Sequence, residues 1–103
     1  MAVYALAQLR IHDRERYNRY MNNFVARFTD VFGKFGGKML AADEAPRVLE
    51  GDWWDRNKVV LMEFPDQAAF TAWATSPEYN EIAVDRKAGA EAVVLLVQGY
   101  PSA

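Results

Sequence analysis

Cysteine is missing from this 103-residue chain, and histidine occurs once, as His12. Those two shortages exclude disulfides, thiolate metal sites and a cysteine nucleophile, and they strip metal coordination of its usual nitrogen and sulfur donors. No metal and no cofactor is therefore expected. A strong charge of either sign is also lacking: the net charge is −2 and the pI is near 5.3. Nucleic acid and anionic membrane surfaces call for a basic face, so neither is expected as a partner. No apolar run comes near the roughly 20 residues that span a bilayer. Met1–Arg10 has no charged leader ahead of a long apolar stretch, so the expectation is a cytoplasmic protein without a secretory signal. The length suits one domain, residues 1–103, with a modest core that association would enlarge.

Against these absences stand three short stretches that are apolar on both faces: Val3–Leu9, Lys58–Phe64 and Ala92–Val97. A strand with one wet face alternates apolar and polar residues. Here Val59, Val60, Leu61 and Met62 run on without a break, as do Val93 through Val97. Both sides of the sheet must then be covered.

Helical sequence is enough for only one side. After the first strand, Asp13 suits an N-cap, and Tyr17, Tyr20, Met21, Phe24, Val25, Phe28, Val31, Phe32 and Phe35 recur at helical spacing. The spacing predicts one helix, with Glu15–Arg19 and Asp30–Lys34 as pairs one turn apart on its wet side. Gly33, Gly36 and Gly37 end it. A short strand over Lys38–Ala42 breaks at Asp43-Glu44-Ala45-Pro46 and resumes over Arg47–Trp53, and Asp55-Arg56-Asn57 turns the chain into Lys58–Phe64. Pro46, without an amide donor, puts this second strand at the sheet edge. Asp66 caps a helical segment Gln67–Thr75, Ser76-Pro77-Glu78 starts another, and Gly89 precedes the last strand, Ala92–Gln98. Whether the two segments form one kinked helix or two is left open by the pattern.

The order strand–helix–strand–strand–helix–strand, with right-handed crossovers, gives an α+β ferredoxin-like βαββαβ sandwich. It has a four-stranded antiparallel sheet, the first and third strands central, and helices on one face. The other face would expose more apolar surface than a monomer usually carries. A second copy packed sheet to sheet would bury roughly 1,200–2,000 Å². A homodimer through the sheet face is the expected assembly.

Several segments resemble one known family. Val48-Leu49-Glu50-Gly51-Asp52-Trp53, Val59-Val60-Leu61-Met62-Glu63-Phe64-Pro65, Trp73 with Ser76-Pro77-Glu78-Tyr79, and Arg86 resemble the domain of unknown function 1330 family of the dimeric α+β barrel superfamily. The resemblance spans about Val3 to Gln98 and implies the fold and the dimer, but no activity. Related families include cofactor-free monooxygenases, lactone isomerases and haem-degrading enzymes, and such fold analogy does not choose a reaction.

Candidate chemistry centres on Glu63, a carboxylate inside an apolar strand that needs a partner or a shifted pKa. Should the first and third strands run parallel, Gln8 and Glu63 share one sheet edge. Arg86 falls on the same helix stripe as Tyr79 and Ile82. Gln8, Glu63, Tyr79 and Arg86 would then line a pocket between helix and sheet, with Glu63 as general base and Arg86 holding an anionic substrate group. The plainer alternative is a structural Glu63–Arg86 ion pair. His12 would serve as acid or base at the pocket mouth, or simply be a solvated residue beside a helix cap. Trp53 and Trp54 point to opposite faces, so Trp54 could close the pocket while Trp53 packs in the dimer, or both could simply pack near the hairpin. The sheet lacks the exposed stacking aromatics of the RNA-recognition fold. The expectation is a dimeric protein binding a small acidic or aromatic metabolite, with a cofactor-independent enzyme in range; the alternative is a non-catalytic dimerisation or ligand-sensing module.

Overall fold

Strand alternation decides what lies under the helices and what does not. In the computed structural model, which describes residues 1–53 and 57–101, β1 (Val3–Ile11) buries Val3, Ala5, Ala7 and Leu9. It turns Tyr4, Leu6, Gln8 and Arg10 the other way. β1 pairs antiparallel with β3 (Lys58–Phe64) on one side and β4 (Ala90–Gln98) on the other, and β2 (Lys38–Asp43) lies outside β3. The sheet order is β2-β3-β1-β4, so the first and third strands are central as the element order predicts. They run antiparallel, however, with Tyr4 opposite Glu63 and Gln8 opposite Val59. A parallel pairing that would bring Gln8 and Glu63 to one edge does not occur.

All helices lie on one face. α1 (Arg14–Ala26) starts at Asp13, whose carboxylate accepts from the Arg16 amide at 3.1 Å. The continuous helix to Phe35 is not formed. The chain leaves helical geometry at Arg27, makes the short α2 (Phe28–Val31) and closes a further turn at Gly36, where φ is +80°. That break swings Phe32 into the core, 5.5 Å from the Phe64 ring and 5.8 Å from Trp73. Arg19 and Lys34 also pair outside their own helix, with Asp85 and Glu78.

The expected second half of β2, Arg47–Trp53, is not a strand. Asp43 accepts from the Ala45 amide at 2.8 Å, and Pro46 follows without a donor. Local turn chemistry thus stops the ladder. Among the later helices, α3 (Gln67–Ala74) and α4 (Pro77–Gly89) are separate, because buried Ser76 accepts from the Tyr79 amide and donates to the Trp73 carbonyl.

The start of α1 and the end of α4 are locked together. The Gly89 carbonyl accepts from the amides of His12 and Asp13, and a Cβ at Gly89 would stand 2.7 Å from the Tyr17 nitrogen. Arg16 Nε adds a 2.7 Å bond to Asp85. This close approach sets Tyr17 on α1 and Arg86 on α4 over the same part of the sheet. Among the described residues, no helix is long and apolar enough to cross a membrane.

Candidate functional site

Small residues below and large ones above leave a space between sheet and helices. Ala7, Ala42 and Ala92 form much of the floor, while Tyr17, Tyr20 and Trp73 hang from the helices over a cavity of about 240 Å³. The alanines cannot fill what the rings span. Met21 from α1 and Met39 and Met62 from the sheet add flexible apolar chains to the lining.

The polar groups here are unusual in sign. Lys58, Arg86 and Lys87 border the cavity, and among the described residues lining it there is no Asp or Glu. Arg86 Nε and Trp73 Nε1 are buried donors without a hydrogen-bond partner. Lys58 is only 5% exposed. Its Nζ lies 3.8 Å from Met21 Sδ and 4.8 Å above the Tyr17 ring, with no carboxylate in ion-pair range among the described residues. Burial pushes the Lys58 ammonium below its ordinary pKa; the Glu44 carboxylate pulls the other way, and Arg14 adds slightly to the fall. Arg14 and Glu44 bond to each other at 2.7 Å.

Three tyrosines complete the lining. The Tyr20 and Tyr79 hydroxyls bond to each other at 3.0 Å, and the Tyr79 ring lies 4.3 Å from that of Trp73. Burial holds Tyr20 well above the ordinary tyrosine pKa, helped by Tyr79. Tyr17 is pushed up to about 12, mainly by burial and then by Glu44, while Arg86 acts in the opposite direction. A site built this way offers donors and cations around an apolar volume, and so suits an anion with an apolar body.

Of the residues singled out from sequence, Tyr79 and Arg86 line this cavity. Gln8 and Glu63 do not. Both project from the opposite face of the sheet, where the Tyr4 hydroxyl approaches Glu63 Oε1 at 3.5 Å and Trp53 Nε1 donates to Gln8 Oε1 at 3.1 Å. The four-residue cluster is therefore split by the sheet itself, and a Glu63–Arg86 ion pair is not formed. His12 is exposed and is not among the lining residues; its amide, not its ring, is engaged, at the Gly89 carbonyl. Trp54 lies outside the described residues.

Sequence reasoning missed Lys58, Tyr17, Tyr20 and Trp73 as site residues. Lys58 shares strand parity with Val60, Met62 and Phe64, and that parity was the available signal. Gln8, in turn, shares parity with Tyr4 and Arg10, which argued for the face away from the helices.

The family model for a domain of unknown function, DUF1330, matches residues 2–100. The chain belongs to the DUF1330 family. Its fold is that of solved relatives, too distant in sequence to show more than architecture. A protein of unknown function from Rhodopseudomonas palustris is 23% identical with a TM-score of 0.74, over 98% of this chain and 84% of that one. A dimeric ferredoxin-like protein of unknown function from Jannaschia sp. CCS1 is 19% identical, TM-score 0.71, over 96% and 100%. The cofactor-independent oxygenase SnoaB from Streptomyces nogalater is 17% identical, TM-score 0.65, over 98% and 95%. No protein of curated function matches the chain.

Proposed function

We propose that this DUF1330 chain binds a small organic anion, an apolar or aromatic body with one acidic group, in the cavity between its helices and sheet. It does so as a homodimer joined through the open sheet face. The observation that carries the ligand reading is the set of unanswered donors. Arg86 Nε, Trp73 Nε1 and the Lys58 ammonium border one apolar space that, among the described residues, offers no carboxylate in return. Leaving a buried donor unpaired costs about 1–3 kcal/mol, which an incoming oxyanion recovers. Volume sets the size: an apolar cavity of about 150 Å³ takes benzene, so about 240 Å³ suits a single substituted ring.

The dimer is supported by the open face, where Leu6, Leu61 and Leu95 form one row across three strands. The Jannaschia relative is described as dimeric. Likeness to the Streptomyces oxygenase is one of fold; it supports an enzyme on this scaffold without identifying a reaction here.

Titration calorimetry with benzoate and phenylacetate, against their uncharged amides, tests the reading. The acids bind and the amides do not, and Arg86→Ala weakens the acids by about 10- to 100-fold through loss of a charge-assisted bond. Equal binding of acid and amide, or no binding by any acid of this size, refutes it.

A further inference from the structure

Lys58 holds a position that anion binding alone does not require. Arg86 already supplies a fixed charge and a planar fork for a carboxylate, whereas a primary amine on a flexible stem is a poor second clamp. Its surroundings are those of an amine kept from solvent and from counter-ions: 5% exposure, a thioether sulfur at 3.8 Å, an aromatic ring at 4.8 Å, and no carboxylate in ion-pair range among the described residues. The other lysines, Lys34, Lys38 and Lys87, are exposed.

From the cavity that Lys58 and Arg86 share, we infer that Lys58 is an amine nucleophile that condenses with the carbonyl group of a bound aldehyde or ketone. The ligand class is thereby narrowed to an oxo acid, its carboxylate at Arg86 and its carbonyl at Lys58. The nucleophile stands without the anion reading; only the acid group of the ligand rests on it. In the step, the lone pair of the neutral amine adds to the carbonyl carbon and the C=O π pair moves to oxygen. Both nitrogen protons leave with that oxygen as water, and a C=N bond remains. No oxidant or reductant is consumed. Burial of the ammonium, which favours its neutral form, supplies the reactive state.

Reductive trapping tests this. The full-length protein is incubated with cyanoborohydride and either benzaldehyde or 4-carboxybenzaldehyde, and labelled lysines are mapped by peptide mass. Benzaldehyde labels Lys58 several-fold faster than Lys34, Lys38 or Lys87, although Lys58 is the least accessible, and its lead widens as pH falls from alkaline toward neutral. The carboxylated aldehyde labels Lys58 faster still, Arg86→Ala removes that extra rate but not the benzaldehyde label, and benzoate protects. Lys58→Arg keeps the charge and loses the label, with circular dichroism verifying its fold. Labelling of Lys58 no faster than of the exposed lysines overturns the nucleophile. Equal rates for the two aldehydes overturn the oxo-acid assignment while leaving the nucleophile in place.

Discussion

The two faces of one sheet differ in what they hold and in how their polar groups are answered. Beneath the helices the strands present alanine and methionine alongside Leu9, Val60 and Val94, and the space above them is bordered by Lys58, Arg86 and Lys87 with no Asp or Glu among the described residues that line it. On the other face the strands present leucine and valine, and several polar residues among them pair with one another: Tyr4 with Glu63, Gln8 with Trp53, Arg10 with Glu91. Val93, Leu95 and Val97 remain 42%, 48% and 46% exposed there. Unsatisfied polarity next to empty apolar volume suits a ligand; satisfied polarity within a flat apolar layer suits a second protein surface. On the proposed reading the contrast separates ligand binding from assembly, and it can be attacked from either side.

The largest effect is expected on the open face. Leu61→Asp sets a carboxylate in the middle of the leucine row, where a buried unpaired charge costs roughly 3–5 kcal/mol. Sedimentation should then show folded monomer, with the tyrosine cavity and its acid binding retained. A variant that stays dimeric removes the assembly half of the contrast. Under the helices a smaller change of opposite sign is expected. Lys58→Met removes an unpaired ammonium but also its contact with the Tyr17 ring, for a net gain of about 1–2 kcal/mol near neutral pH.

The pH dependence of that gain has a definite sign. Lys58 is held below its ordinary 10.5, so between its folded value and 10.5 the unfolded chain binds the extra proton. The wild type therefore gains stability as pH rises through that window, and the advantage of methionine shrinks to nothing above it. Urea unfolding of both proteins across alkaline pH reads the difference. Tyr17 acts in the reverse sense. Its raised value, about 12 against 10.0, gives stability that is complete below pH 10.0 and lost as pH climbs toward 12. The smallest effect belongs to the frame: Asp85→Ala breaks its bonds to Arg16 and Arg19 between α1 and α4. It should cost no more than about 1 kcal/mol in thermal unfolding.

Element order and helix caps were legible in the chain because each depends on neighbours within a few residues. Asp13, Asp66 and Ser76 cap where their side chains reach the next free amides. Long apolar runs announce a sheet with no wet face whichever partner covers it. The site was legible only in part. Tyr79 and Arg86 lie on the cavity because helical spacing alone puts them on the stripe facing the sheet. Parity along β3 sets Lys58 and Glu63 on opposite faces, but that strand is apolar on both, so parity alone does not say which of the two the helices cover.

That choice, and the early break of α1 that frees Phe32 to enter the core, rest on contacts between segments far apart in sequence. Tyr17 reaches its place over Lys58 through the close approach of α1 to Gly89. The sequence by itself determined what must be buried and in what order the pieces occur. Tertiary packing decided which buried face holds an empty volume, because a void is a property of surfaces that meet and not of either one alone.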